Sequence, residues 1–216
     1  MTNTFFHKEH AASYAERPPR QVPGFDSLHR MVSMLLAERA PDAGRILVLG
    51  AGGGLELKAL AEAHPGWSFD GIDPSPDMLR LAGQTVAGHA ERIRLVEGYI
   101  DSAPDGPYDG ATALLTFHFI PREQRLATLA HIHRRLKPGA AFLLAHISFP
   151  QTEPEKSQWI ARHVGYAAAP DAAPAQLKQA REAIASRLSI LSPGEEEDML
   201  RLAGFTDVSL FYAGLG

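Results

Sequence analysis

The 216-residue chain is 45% hydrophobic and 21% charged, with a formal net charge of −4 and no cysteine. That balance suits one soluble globular domain and excludes a disulfide scaffold, a thiolate metal site and a global positive field for nucleic-acid backbones. No apolar run approaches the roughly 18 residues of a membrane-spanning helix, and the opening MTNTFFHKEHAASYAERPPRQ has the character of neither a secretion nor a transit segment, so a cytoplasmic protein is expected.

In chain order, Leu28, Met31, Val32, Leu35 and Leu36 recur at helical spacing, which predicts a helix over Asp26–Ala40 capped by Asp26 or Ser27. RILVL follows as a branched run of the kind buried on both faces of a parallel sheet, and a helix over 54–64 closes at HPG. WSFDGID reads as a second strand, SPDMLRLAGQTV as a helix with Ser75 at its N-cap and Pro76 at its first position, and RIRLVEG as a third strand. YDGATALLTF is a fourth strand, PREQRLATLAHIHRRL a helix, KPG a turn and AFLLAHISF a fifth strand. Strand and helix in alternation predict an α/β domain, its sheet mainly parallel and flanked by helices. After Phe149, residues 150–192 read as a helical insert interrupted by an Ala/Pro-rich stretch at 167–175, and 193–216 as a capped acidic helix and a last strand, TDVSLFYAG. The expected organisation is a single domain: an N-terminal lid and helix over 1–44, a binding core over 45–149, the insert, and the closing helix and strand.

The turn after the first strand, GAGGG, holds Gly50, Gly52 and Gly54. In an open α/β sheet, ligands sit beyond the carboxyl ends of the strands, where this turn lies, and glycine lets a ligand approach the backbone closely. Asp73 ends the second strand, and a carboxylate there can accept both hydroxyls of a ribose. A tight structural turn is the alternative for the glycines alone. The dinucleotide fingerprint G-x-G-x-x-G fails, because Leu55 stands at its sixth position counted from Gly50.

The spacing G-x-G-x-G resembles instead the first motif of class I S-adenosylmethionine-dependent methyltransferases, a Rossmann-like fold. The resemblance continues in GIDPSPDML, RIRLVEGYIDSAP, YDGATALLTFHFIP and LAHIHRRLKPGAAFLLAHIS, together covering about 45–148. It implies S-adenosylmethionine as cofactor and S-adenosylhomocysteine as product. Gly50, Ala51, Gly52 and Gly54 would hold its methionine portion and Asp73 its ribose, with Pro74, Met78, Tyr99 and Ile100 around the adenine. Thr116 and His118 would face the acceptor, His118 as a general base or as the residue that orders the FHFIP loop, with His146 a second candidate. Two positions depart from the family: Val48 stands where an acid usually contacts the methionine amino group, and Tyr99 where an aspartate often lies near the adenine amine. Glu97 or a water would compensate in part.

A narrower resemblance runs through RQVPGFDSLHRMVSMLLAERA, GY…QAREAI and AGFTDVSLFYAGLG, which are similar to bacterial carboxy-S-adenosylmethionine synthases of tRNA wobble-uridine modification. It implies carboxy-S-adenosylmethionine as an alternative cofactor, with Arg181 at the position that holds the extra carboxylate; Phe25 replaces that group's tyrosine. Tyr14, Arg17 and Arg20 are lid candidates by their place before the first helix. The expected acceptor is a small molecule, with no direct nucleic-acid or membrane partner, and the insert could serve a homodimer contact. A non-catalytic protein retaining the fold is the third reading. No metal is expected, since His131 and His133, two apart on a helix, face different directions.

Overall fold

The computed structural model describes residues 17–216, so Tyr14 lies outside the described residues. Helices α1 (Arg17–Gln21) and α2 (Phe25–Ala37) lead into β1 (Arg45–Leu49), α3 (Leu55–Ala63), β2 (Ser68–Asp73), α4 (Pro76–Thr85) and β3 (Ile93–Glu97). The chain continues through β4 (Tyr108–Leu114), α5 (Arg122–His133), β5 (Leu136–Ala145), α6 (Glu155–Ala167), α7 (Pro174–Arg187) and α8 (Pro193–Leu202). The five strands pair in parallel in the order β3-β2-β1-β4-β5. Successive strands thus run outward from β1 in one direction and from β4 in the other. The switch point falls between β1 and β4.

The strand sequences explain this order. Every residue of β4 is buried, and in β1 only Arg45 is not. Such continuously apolar segments belong at the centre of a sheet covered on both faces. Ile46 and Val48 point to one side, where Leu28, Val32 and Leu36 of α2 and Leu57 and Leu60 of α3 meet them; Leu47 and Leu49 point to the other, against Leu129 and Ile132 of α5 and Met199 and Leu200 of α8. Each fully buried aliphatic side chain is worth about 1.5–3 kcal/mol, so the stripe on α2 is what docks that helix. The insert carries its own cluster, in which Phe149, Ile160 and Val164 pack with Trp159, Leu177 and Ile184.

Several boundaries differ from the sequence expectation, each for a local reason. Helix α2 starts at Phe25 behind Gly24 in a left-handed conformation (φ 65°), so neither Asp26 nor Ser27 caps it. Leu115, at φ 55°, ends β4 before the Phe117–Phe119 turn. Lys137–Gly139 belong to the beginning of β5, where the register against β4 shifts between Tyr108 and Gly110, rather than forming a separate turn. TDVSLFYAG is not a strand. Asp207 adopts φ 53° and breaks the extended run, and the segment is held instead by the Tyr212 hydroxyl, which donates to Pro23 O at 2.6 Å. Two caps are as expected: Ser75 Oγ accepts from Met78 N at 3.3 Å, and Ser192 and Glu195 form a capping box on α8.

Candidate functional site

The glycine turn leaves β1 and enters α3 through three positive φ angles: 80° at Gly50, 50° at Gly52 and 85° at Gly54. Gly50 N and Ala51 N both donate to Ile72 O, at 2.8 and 2.9 Å, which ties the turn to the end of β2. At that end Asp73 is only 8% exposed, its Oδ2 accepting from Gly52 N and its Oδ1 from Ser75 N, each at 2.9 Å. Burial pushes its carboxyl up from the usual range, and the two N–H bonds oppose the rise. The carboxylate is thereby fixed in direction, with a second lone pair on each oxygen for a ligand. Helix α3 begins at Gly54 with no side-chain cap, so its first N–H groups offer an anion site facing the turn.

Across the switch point, Thr116 closes over Gly50. Its Oγ1 donates in bifurcated fashion to Leu114 O at 2.9 Å and Leu49 O at 3.3 Å, and a Cβ on Gly50 would lie 2.0 Å from it. Met78 and Ile100 are buried beside Asp73 and the β3 end, whereas Pro74 is exposed and Tyr99 is 70% exposed. These residues surround the carboxyl ends of β1, β2 and β3.

A second polar group lies at the ends of β4 and β5. His146 Nε2 is 3.4 Å from Glu196 Oε1, and Arg125, with no exposure at all, binds Glu196 Oε1, Ile120 O and Ser189 O. Burial works against ionisation of Glu196, but the His146 hydrogen bond and the Arg125 charge prevail and hold its carboxyl below the usual range. His118 is buried behind this pair, its ring 6.2 Å from that of His146 and its Nδ1 accepting from Ile147 N at 3.4 Å. Burial, then the neighbouring His146 and Arg125, keep its imidazole well below the ordinary histidine range. A small cavity of about 30 Å³ opens here among Leu115, Ala145, His146, Ile147, His163 and Tyr212. A larger concavity of about 310 Å³ lies against Trp67 and Ala37, at the opposite ends of the strands from the glycine turn.

Among the described residues, four buried side-chain polar atoms have no hydrogen-bond partner: Glu56 Oε1, Thr112 Oγ1, His146 Nδ1 and Glu196 Oε2. Orphaned polar atoms are rare in folded proteins and call for an explanation. Two lie beneath the start of α3 and two line the far side of the switch point. Glu56 is 7% exposed, and burial pushes its carboxyl up to about 8, the adjacent Thr112 hydroxyl restraining the rise without reaching hydrogen-bond geometry.

The remaining sequence candidates fall elsewhere. Phe25 is buried edge-on to His29 at 4.4 Å, Arg20 is exposed on α1, and Arg181 is exposed on α7, a helix that packs on α6. Among the described residues Arg181 makes no ion pair, so the structure does not bring it to the glycine turn. Sequence reasoning missed Glu56, Arg125 and Glu196. Glu56 had a visible sign, since it shares the inward face of α3 with Leu60 at i+4; Glu196 sits in the run EEED, where nothing distinguishes a buried acid from solvated ones. No group of three or more metal-ligating side chains occurs among the described residues, and none of their helices is long and apolar enough to cross a membrane.

An open parallel sheet in this order, with a glycine turn after its first strand, defines a doubly wound α/β domain whose ligand side is the carboxyl end of the strands. The methyltransferase-domain family matches residues 47–142. Over its whole length the chain is similar to the carboxy-S-adenosyl-L-methionine synthase of Chromohalobacter salexigens, 25% identical across 98% of this chain and 80% of that protein. It is also similar to a ubiquinone/menaquinone biosynthesis C-methyltransferase of Syntrophotalea carbinolica, 30% identical over 61% of this chain and 60% of that one. Similar solved structures include a complex of a methyltransferase activator with a methyltransferase of Haloferax volcanii (TM-score 0.61, 22% identity, 92% of this chain and 77% of that one). Another is the S-adenosylmethionine-bound amino pentose methyltransferase of Micromonospora echinaspora (TM-score 0.54, 24% identity, 70% and 61%). Through residues 47–142 and through its fold the chain is similar to S-adenosylmethionine-dependent methyltransferases.

Proposed function

We propose that the chain transfers the methyl group of S-adenosylmethionine to a small-molecule acceptor, releasing S-adenosylhomocysteine. The residues present fit this cofactor: the uncapped start of α3 suits its carboxylate, and the fixed Asp73 carboxylate suits two ribose hydroxyls. Met78 and Ile100 supply an apolar floor for the adenine, with Pro74 and Tyr99 at its rim. Bound there, the cofactor supplies an electrophilic methyl carbon, and the protein's task is alignment with an incoming nucleophile. The acceptor would enter from the cavity beside Leu115 and His146, on the far side of Thr116 from the glycine turn.

Of the two histidines proposed for proton transfer, His146 is the better placed. Glu196 orients its Nε2, while Nδ1 is buried without a partner and belongs to a residue that lines the cavity. The nearby His118 spends its Nδ1 on Ile147 N and orders the loop through Ser189 N, which donates to His118 O at 2.9 Å. A base is needed only for an acceptor that arrives protonated.

The observation that carries the reading is the Asp73 carboxylate pinned by Gly52 and Ser75 beside an uncapped helix start. Calorimetry should show micromolar binding of S-adenosylmethionine and S-adenosylhomocysteine, weakened at least about tenfold in Asp73→Asn, with circular dichroism confirming that the variant is folded. Failure of both ligands to bind the parent protein would overturn it. A second reading, carboxy transfer to the cofactor, is favoured by the full-length similarity to carboxy-S-adenosyl-L-methionine synthases. Native mass spectrometry of the purified protein separates the two: a co-purified ligand heavier by one carboxyl unit supports the second.

A further inference from the structure

We infer that Glu56, on the first turn of α3, is the acid that receives the α-ammonium group of the cofactor's methionine end. This rests on the cofactor reading above. An amino acid moiety held at this turn brings two opposite charges. The helix start meets the carboxylate, but the ammonium needs a carboxylate of its own, and burying it unpaired would be costly. Two buried acids flank the turn, Asp73 and Glu56; the other buried acid of β2, Asp70, is bound by Arg45 and the Tyr108 hydroxyl. Asp73, oriented by Gly52 and Ser75 at the β2 side, is the acid assigned above to the ribose hydroxyls. Glu56 keeps an oxygen that is fully buried and has no partner.

Its position supports the assignment independently. Val48 on β1 stands in register with Thr112 on β4, and both side chains lie on the sheet face covered by α3. An acid on β1 at position 48 would project to the place that the Thr112 hydroxyl borders. Val48 cannot supply one, and the Glu56 carboxyl reaches the same hydroxyl from the helix above. Helical side chains tilt toward the N-terminus of their helix, which here is the glycine turn. The function expected of position 48 is thereby moved to a different element of the fold.

Left unpaired in the free protein, Glu56 holds its proton at neutral pH, its carboxyl raised to about 8 by burial. An ammonium ion beside it favours the carboxylate, so cofactor binding at pH 7 should release a proton from this residue. The other buried ionisable groups on elements packed against α3 are His29 of α2 and Asp70 and Asp73 of β2, and none of them contributes to the shift of Glu56.

The test compares the parent with Glu56→Gln, which keeps the shape and removes the charge. Calorimetry with S-adenosylhomocysteine and with methylthioadenosine, which lacks the amino acid, is run at pH 7 in two buffers of different ionisation enthalpy. The expected result is about a ten- to hundredfold loss for S-adenosylhomocysteine, an unchanged constant for methylthioadenosine, and release of about one proton in the parent that disappears in the variant. Equal losses for both ligands, or S-adenosylhomocysteine binding within about threefold of the parent, would overturn the assignment while leaving the cofactor reading intact. If the parent binds neither ligand, the cofactor reading itself falls.

Discussion

Replacing Gly50 with alanine tests the geometry of the switch point most directly. At φ 80° an L-residue carries a steric penalty of about 1 kcal/mol. The new Cβ would also lie 2.0 Å from Thr116 Oγ1, 2.6 Å from Cγ2 and 2.8 Å from Cβ, all closer than real contacts allow. Thr116 must move, giving up its bonds to Leu114 O and Leu49 O, about 1 kcal/mol, and the strain of overpacking adds about 1–3 kcal/mol. The expected loss is about 4 kcal/mol, or roughly 10 °C in Tm for a domain of this size. Urea unfolding followed by circular dichroism measures it. Thr116→Ala removes the two atoms other than Cβ that obstruct the methyl group, so the double variant should regain about 1–2 kcal/mol relative to the sum of the single changes. Strict additivity, or a Gly50→Ala loss below about 1 kcal/mol, would refute the reasoning.

The buried charges give two further expectations. Arg125→Met leaves Glu196 in the interior without its guanidinium partner and should cost about 3–5 kcal/mol by urea titration, most of it recovered when Glu196→Leu is added. A loss under about 1 kcal/mol would show that Arg125 does not hold the α8 acid in place. For Glu56, the folded carboxyl titrates near 8 against 4.5 in the unfolded chain, so the native state binds more protons between those values. Its contribution is most favourable below pH 4.5, falls as the pH rises and levels off above 8. Glu56→Gln should therefore melt well above the parent at pH 8.5, by up to a few kcal/mol, with the difference shrinking toward pH 5. Parallel melting curves for the two proteins across that range would contradict the burial of this group.

The glycine-turn end of the sheet was legible in the sequence because it is built from local chemistry. The branched run 45–49, the glycines that follow and Asp73 at the end of the next strand are fixed by short-range rules, and they fall where those rules place them. The Ser75 and Ser192 caps were readable for the same reason. Where a single residue's backbone conformation decides, patterning failed: Asp207 at φ 53° turns an apparently strand-like segment away from the sheet.

Which side chains share a pocket was decided only by the tertiary structure. Glu56 meets Thr112 across 56 positions of sequence, and Arg125, His146 and Glu196 come from α5, the loop after β5 and α8. Nothing in the run EEED marks its second glutamate as buried, because burial of a charge depends on what packs against it from elsewhere in the chain. The sequence by itself therefore determined the fold class, the glycine turn and the place of Asp73 at the end of β2. The three-dimensional packing decided that a helix rather than a strand carries the acid beside Thr112, and that His146 rather than His118 faces the cavity with a nitrogen to spare.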